Sequence, residues 1–242
     1  MEEMRMKKVL VLFMVLALPC VASAWDLVDD FSITNGNPNG VWSYGYYAGG
    51  AGGTWTLYDG TGDSGTLINW FVAPGDTDGH ANVNKNYTAN TFTQDTWAPG
   101  MSWRPGQLCV MAPYSAYWNP NYNDDSAVRF TAPATGSYDI VANWESRVMS
   151  GTPTDIFVLV NGVIHHYDQV SGFTEFDPPL AESVSTYVAT LPLKAGDVVD
   201  FGVNGVVDDG GHQIGLGVVI IPEPITMALM SLGGLALLRR RR

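Results

Sequence analysis

From Ala127 onward, apolar and polar residues alternate in short runs separated by turn-forming residues. In "AVRFTAPATGSYDIVANW" two such runs flank a Pro/Gly turn, the pattern of strand, turn and strand. "DIFVLVNGVIHHYDQV" sets β-prone segments 156–160 and 163–167 on either side of Asn161-Gly162. That dipeptide tolerates the positive φ angles of a tight type I′ hairpin. "TYVATLPLKAGDVVDFGVNG" repeats the scheme around a turn at 194–197, and "QIGLGVVII" supplies a last strand. Outside the two ends of the chain, no window of a dozen residues keeps a helical period. Five or six strands joined by short turns predict an all-β fold, an antiparallel, jelly-roll-like β-sandwich.

The preceding stretch, 25–126, is less regular, rich in glycine, and holds every tryptophan but Trp144. Short β-prone pieces, "VWSYGYY", "GTWTLYD" and "TLINWFV", alternate with Gly/Asn/Asp loops. Such pieces are too short and scattered to enclose a core alone. They are expected to complete the sheets of one domain covering 25–221, whose regular strands lie in 127–221. No repeat of 20 to 50 residues is visible.

Both ends differ from this body. Arg5, Lys7 and Lys8 precede an apolar run at 9–18, and Ala22-Ser23-Ala24 offers the small residues a signal peptidase requires. Residues 1–24 therefore read as a signal peptide cut between Ala24 and Trp25, with the Sec translocon and signal peptidase as partners. Cys20 leaves with it. The one remaining cysteine, Cys109, has no partner for an internal disulfide and is expected to be a buried small hydrophobe. Between the two ends, Lys85, Arg104, Arg129, Arg147 and Lys194 face 21 Asp and Glu, a net charge of −16. That charge would repel nucleic acid and anionic lipid headgroups and favours cations and neutral ligands.

The chain closes on "PEPITMALMSLGGLALLRRRR". Residues 225–238 form an uncharged apolar stretch, short for a membrane span, which takes about 20 residues. Proline on both sides of Glu223 opposes an earlier helix start. A short transmembrane helix beginning after Pro224 is expected, with Arg239, Arg240, Arg241 and Arg242 on the cytoplasmic side. The order of Pro222, Glu223 and Pro224, apolar helix and arginine cluster resembles the PEP-CTERM sorting signal, so 222–242 is assigned to it. The resemblance implies recognition by an exosortase, a membrane transpeptidase-like enzyme, and cleavage near the tripeptide. It further implies transient anchoring in the inner membrane with the body outside, then release or transfer to the cell surface. Proteins of this kind often accompany extracellular polysaccharide.

The body is similar to exported sandwich modules that resemble carbohydrate-binding jelly rolls, on "NPNGVWSYGY", "VRFTAPATGSYDI" and "LKAGDVVDFGV". This implies a non-enzymatic matrix or carbohydrate-binding component. Strand alternation puts Trp42, Tyr44 and Tyr46 on one face, which suits a sugar-stacking platform and equally a sandwich core. Tyr114, Tyr117 and Trp118, in the Asn/Pro-rich "APYSAYWNPNYN", form a candidate exposed aromatic loop. The competing class is a serine esterase. Gly62-Asp63-Ser64 and Asp209-Gly210-Gly211-His212 resemble the blocks of GDSL-type enzymes, implying a triad of Ser64, Asp209 and His212. Gly65 stands where that family has leucine, and the helices its fold requires are missing from the pattern.

No organic cofactor is expected. Asp29 and Asp30 near one end of the body and Asp208 and Asp209 near the other would share a structural calcium if those ends meet. Solvated turn carboxylates are the competing reading. His165 and His166 are neighbours on a strand and point to opposite faces, so one is expected half-buried and the other exposed, with no shared metal.

Overall fold

The computed structural model describes residues 24–72, 81–94, 101–111, 124–147, 153–172, 183–204 and 213–223. In chain order the strands are β1 (Trp25–Asp26), β2 (Trp42–Ala48), β3 (Thr54–Leu57), β4 (Gly60–Asp63), β5 (Leu67–Phe71), β6 (Asn82–Asn86), β7 (Phe92–Gln94) and β8 (Met101–Trp103). They continue as β9 (Leu108–Met111), β10 (Asp125–Thr131), β11 (Gly136–Ser146), β12 (Thr154–Val160), β13 (Val163–Val170), β14 (Val184–Leu193), β15 (Val198–Val203) and β16 (Gln213–Pro222). The one α-helical element among the described residues is the turn Leu27–Asp30, whose first N–H groups are capped by the Asp26 carboxylate.

Two antiparallel sheets pack face to face. One runs β14-β11-β16-β9-β6-β5-β4, with β1 added on β16; the other runs β13-β12-β15-β10-β2-β3. Each sheet draws strands from both halves of the chain, so the irregular first half does supply sheet. Among the described residues, seven strands rather than five or six arise from Asp125 onward. The Asn161-Gly162 hairpin turns with positive φ at both residues (52° and 78°), as a I′ turn requires.

Strict alternation builds the core. Tyr138, Ile140, Ala142 and Trp144 of β11 face Trp42, Tyr44, Val128, Phe130 and Phe201 of the other sheet, all buried. Trp42 packs edge-on against Phe130, and Trp144 lies 6.4 Å from Phe201. The sheets are joined along one side, where Tyr187 of β14 bonds His165 Nδ1 (2.7 Å) and Ser185 donates to Asp168 (2.6 Å). His166 is half-buried against Trp144 while His165 is exposed; a register shift in β13 at this point lets both rings pack on Tyr187.

Both outer faces carry polar chemistry. On the six-stranded sheet, Arg129 Nε donates to Asp200 Oδ1 (2.6 Å) and its Nη2 to Tyr47 Oη (2.9 Å), which itself donates to Asp200 (2.6 Å). The guanidinium lies 4.2 Å above the Trp55 ring. On the eight-stranded sheet, the hairpin β7–β8 forms a flap over β6 and β9. Beneath it Trp103 Nε1 donates to Asn84 Oδ1 (2.6 Å), Asn86 donates to the Trp103 carbonyl (3.0 Å), and buried Arg147 reaches the Ser102 hydroxyl (2.6 Å). Cys109 is buried under this flap with Met101 and Trp103. Burial pushes its thiol up to about 12, so it stays protonated and unreactive near neutral pH.

Candidate functional site

Beside the flap, the outer face of the eight-stranded sheet drops into an open groove of ≈ 670 Å³. Its floor follows from register. Glu145 of β11 lies between Val184 and Gly215, and two residues along Asn143 lies between Thr186 and Gly217. Alternation sends Ile214, Leu216 and Val218 of β16 into the core, which leaves its outward positions 215 and 217 to glycine. With no side chain on the central strand, the surface sinks there. The turn 104–107 after β8 forms one wall and β14 the other.

The two glycines differ. A Cβ at 215 would come within 2.6 Å of Gln107 Nε2, so the turn closes directly over that residue. A Cβ at 217 would meet nothing within 4 Å, so the groove is open above it. The walls supply hydrogen-bonding groups held by one another. Arg104 pairs with Glu145, Gln107 Nε2 donates to the same carboxylate (3.3 Å), and Gln107 Oε1 accepts from the Arg104 N–H (3.0 Å). Across the floor, Thr186 Oγ1 donates to Asn143 Oδ1 (2.9 Å). The Arg104 and Glu145 side chains are 48% and 33% exposed, so solvent screens their attraction and a ligand can compete for them at small cost. The next row along the face, Val188, Val141 and Val219, is apolar, with Val188 70% exposed. Polar and apolar strips thus run side by side.

The sequence-based candidates are placed differently. Trp42 and Tyr44 lie in the inter-sheet core, and a sugar ring has no access to them; Tyr46 is half-buried and stacks on Tyr58 at 5.8 Å. The shared face of these three is the core face, since the sandwich needs its largest aromatics inside. Tyr114, Tyr117, Trp118, Asp208, Asp209, His212, Ala22, Pro224 and the four terminal arginines lie outside the described residues. Asp30 accepts the Trp42 indole N–H (3.0 Å), its carbonyl accepts from Asn39 (2.6 Å), and Asp29 is exposed beside it. Among the described residues no three metal-ligating side chains converge.

Ser64 sits in the exposed β4–β5 turn, where its hydroxyl donates to the Leu67 carbonyl (3.3 Å) and accepts the Leu67 N–H (3.0 Å), with the Gly65 N–H on Asp63 (2.8 Å). The motif's three residue types are those of a hairpin turn. The groove residues were missed. Their signal was glycine at two successive outward positions of "QIGLGVV", facing the outward Asn143 and Glu145 of "VANWES".

Trp25, expected as the mature N-terminus, opens β1 and pairs with Ile220. Pro222 is the last residue of β16, opposite Tyr138, and the Glu223 N–H donates to the Ser137 carbonyl (2.8 Å). Ordered sheet thus runs past the expected boundary at 221. Among the described residues no helix is long and apolar enough to cross a membrane; the stretch 225–238 lies outside them.

Residues 221–242 match the PEP-CTERM protein-sorting motif. The chain therefore carries an exosortase-type sorting signal at its C-terminus. No curated protein matches the chain. Among solved structures, it is similar to a family 35 carbohydrate-binding module from Clostridium thermocellum (16% identity, 54% of this chain, 87% of that one, TM-score 0.29). It is also similar to a CBM4 module (12%, 64% and 87%, TM-score 0.32) and to the isomalto-dextranase of Arthrobacter globiformis T6 complexed with panose (14%, 69% and 24%, TM-score 0.31). At such scores the likeness is coarse, and the fold and the groove rest on this chain's own pairing and side chains.

Proposed function

We propose that the protein is an exported, surface-sorted β-sandwich that binds neutral glycan in the groove between the turn 104–107 and β14, without catalysing a reaction on it. The observation that carries this reading is the floor of Gly215 and Gly217 set among Arg104, Gln107, Asn143, Glu145 and Thr186. Sugars present hydroxyls that need donors and acceptors in quantity, and C–H faces that need apolar surface. The polar rows and the adjoining valine row offer both. Among the described lining residues Glu145 is the one carboxylate, whereas glycoside hydrolysis ordinarily uses two. The sorting signal supports an exosortase partner and delivery to the surface or medium, where extracellular polysaccharide is the natural source of such a ligand.

A glycan array probed with the mature protein tests this. Neutral hexose- or pentose-based oligosaccharides are expected to bind, and uronate-rich or sulfated ones to be rejected by the body's −16 charge. Absence of binding to every neutral glycan, or preference for anionic ones, would contradict it.

A further inference from the structure

We infer that the sorting cleavage falls at or beyond the bond after Glu223, so that the mature protein keeps Pro222, the last residue of its last strand, and Glu223 after it. This rests on the sorting reading of the C-terminal motif. Of the tripeptide's three residues, only the glutamate has a backbone N–H, and it is spent on the Ser137 carbonyl at 2.8 Å.

The strand leading there is held on both sides. Along β16, β11 pairs continuously from Ile214 to Pro222, while β1 covers the opposite side at Val219 and Ile220. Trp25 anchors β1 by packing its ring against Phe130 (5.6 Å) and Tyr138 (6.1 Å).

A peptidase takes its substrate as an extended segment with backbone groups free to pair with the enzyme, and bonds inside a paired strand become available only by opening the sheet. At 221–223 the chain is paired by β11 alone, and freeing these bonds would require the end of β16 to peel away from Tyr138 and give up the Glu223–Ser137 hydrogen bond. The Ile221–Pro222 and Pro222–Glu223 bonds are thus withheld by the fold. Beyond them Pro224, with no N–H, cannot extend the ladder by donating to β11. In the cleavage step the peptide C–N bond breaks and the acyl carbon passes to water or a surface amine. The departing tail leaves with a new amino group that takes up the nucleophile's proton.

C-terminal peptide mapping of the protein isolated from its native host decides the matter. A last residue at Glu223 or later, with the arginines gone, is the expected result. A last residue at Pro222 or earlier would overturn this inference and leave the sorting reading intact. A tail running uncut to Arg242 would instead remove the sorting reading and this inference with it.

Discussion

Asp200 shows what one buried charge demands of its neighbours. It has no exposed surface, and burial pushes its carboxyl above the ordinary carboxylate range, against the pull of Arg129 and Tyr47. Arg129 stays charged, held by Asp200 on one side and by the Trp55 and Tyr47 rings on the other. Arg129→Met would keep the packing and strip the carboxylate of its cation, at a cost of about 3 kcal/mol measured by denaturant unfolding at neutral pH. Without Arg129 the folded-state pKa of Asp200 rises further. A group raised in this way favours folding below its unfolded pKa and loses that contribution as pH climbs through the folded value. The deficit of the variant against wild type should therefore shrink at pH 5 and be full at pH 8. A deficit independent of pH would show that Asp200 is not the group left stranded.

At the level of elements, legibility followed the hydrophobic period. β11 and β12–β13 announce themselves by alternation and by Asn161-Gly162. β6 does not, because "NVNKN" places asparagine, a poor strand former, at every second position. Those asparagines hold the flap in place, Asn84 accepting the Trp103 indole N–H and Asn86 donating to that residue's carbonyl. A strand whose outward face is a polar seam under another element looks like a loop until its cover is known. Asn84→Leu removes the acceptor for the Trp103 N–H in a buried setting and should destabilise the fold by about 1–3 kcal/mol. Hydrogen exchange should show the loss concentrated in β7–β8; equal loosening of both sheets would mean the flap is not held by this seam.

For the molecule as a whole, charge and geometry point the same way. Of the body's five basic side chains, Lys85 is spent on the Val28 carbonyl, and Arg104, Arg129 and Arg147 on Glu145, Asp200 and Ser102, while Lys194 is exposed. A surface of this charge repels polyanions. Trp25 and Pro222 lie at the same end of β16, so the described chain begins and ends at one end of the sandwich. Gly217 lies five residues back along that strand, about 17 Å from its C-terminal end. The sorting motif and the sandwich class were legible because each depends on local order and period. The groove was not, since it arises from register between β11, β14 and β16 and from a turn 36 residues or more away in sequence from the nearest of them that it faces, Asn143 to Glu145 on β11.

Calorimetric titration of the mature protein and its Gly217→Leu variant with a neutral oligosaccharide selected on the array tests the account most directly. Position 217 has room for a side chain, so the variant should keep the wild-type melting temperature while its isobutyl group fills the groove. The prediction is binding by wild type and a loss of about tenfold or more in affinity for the variant, about 1.4 kcal/mol. Equal affinities for the two proteins, at equal stability, would place the ligand elsewhere and contradict the assignment of the groove.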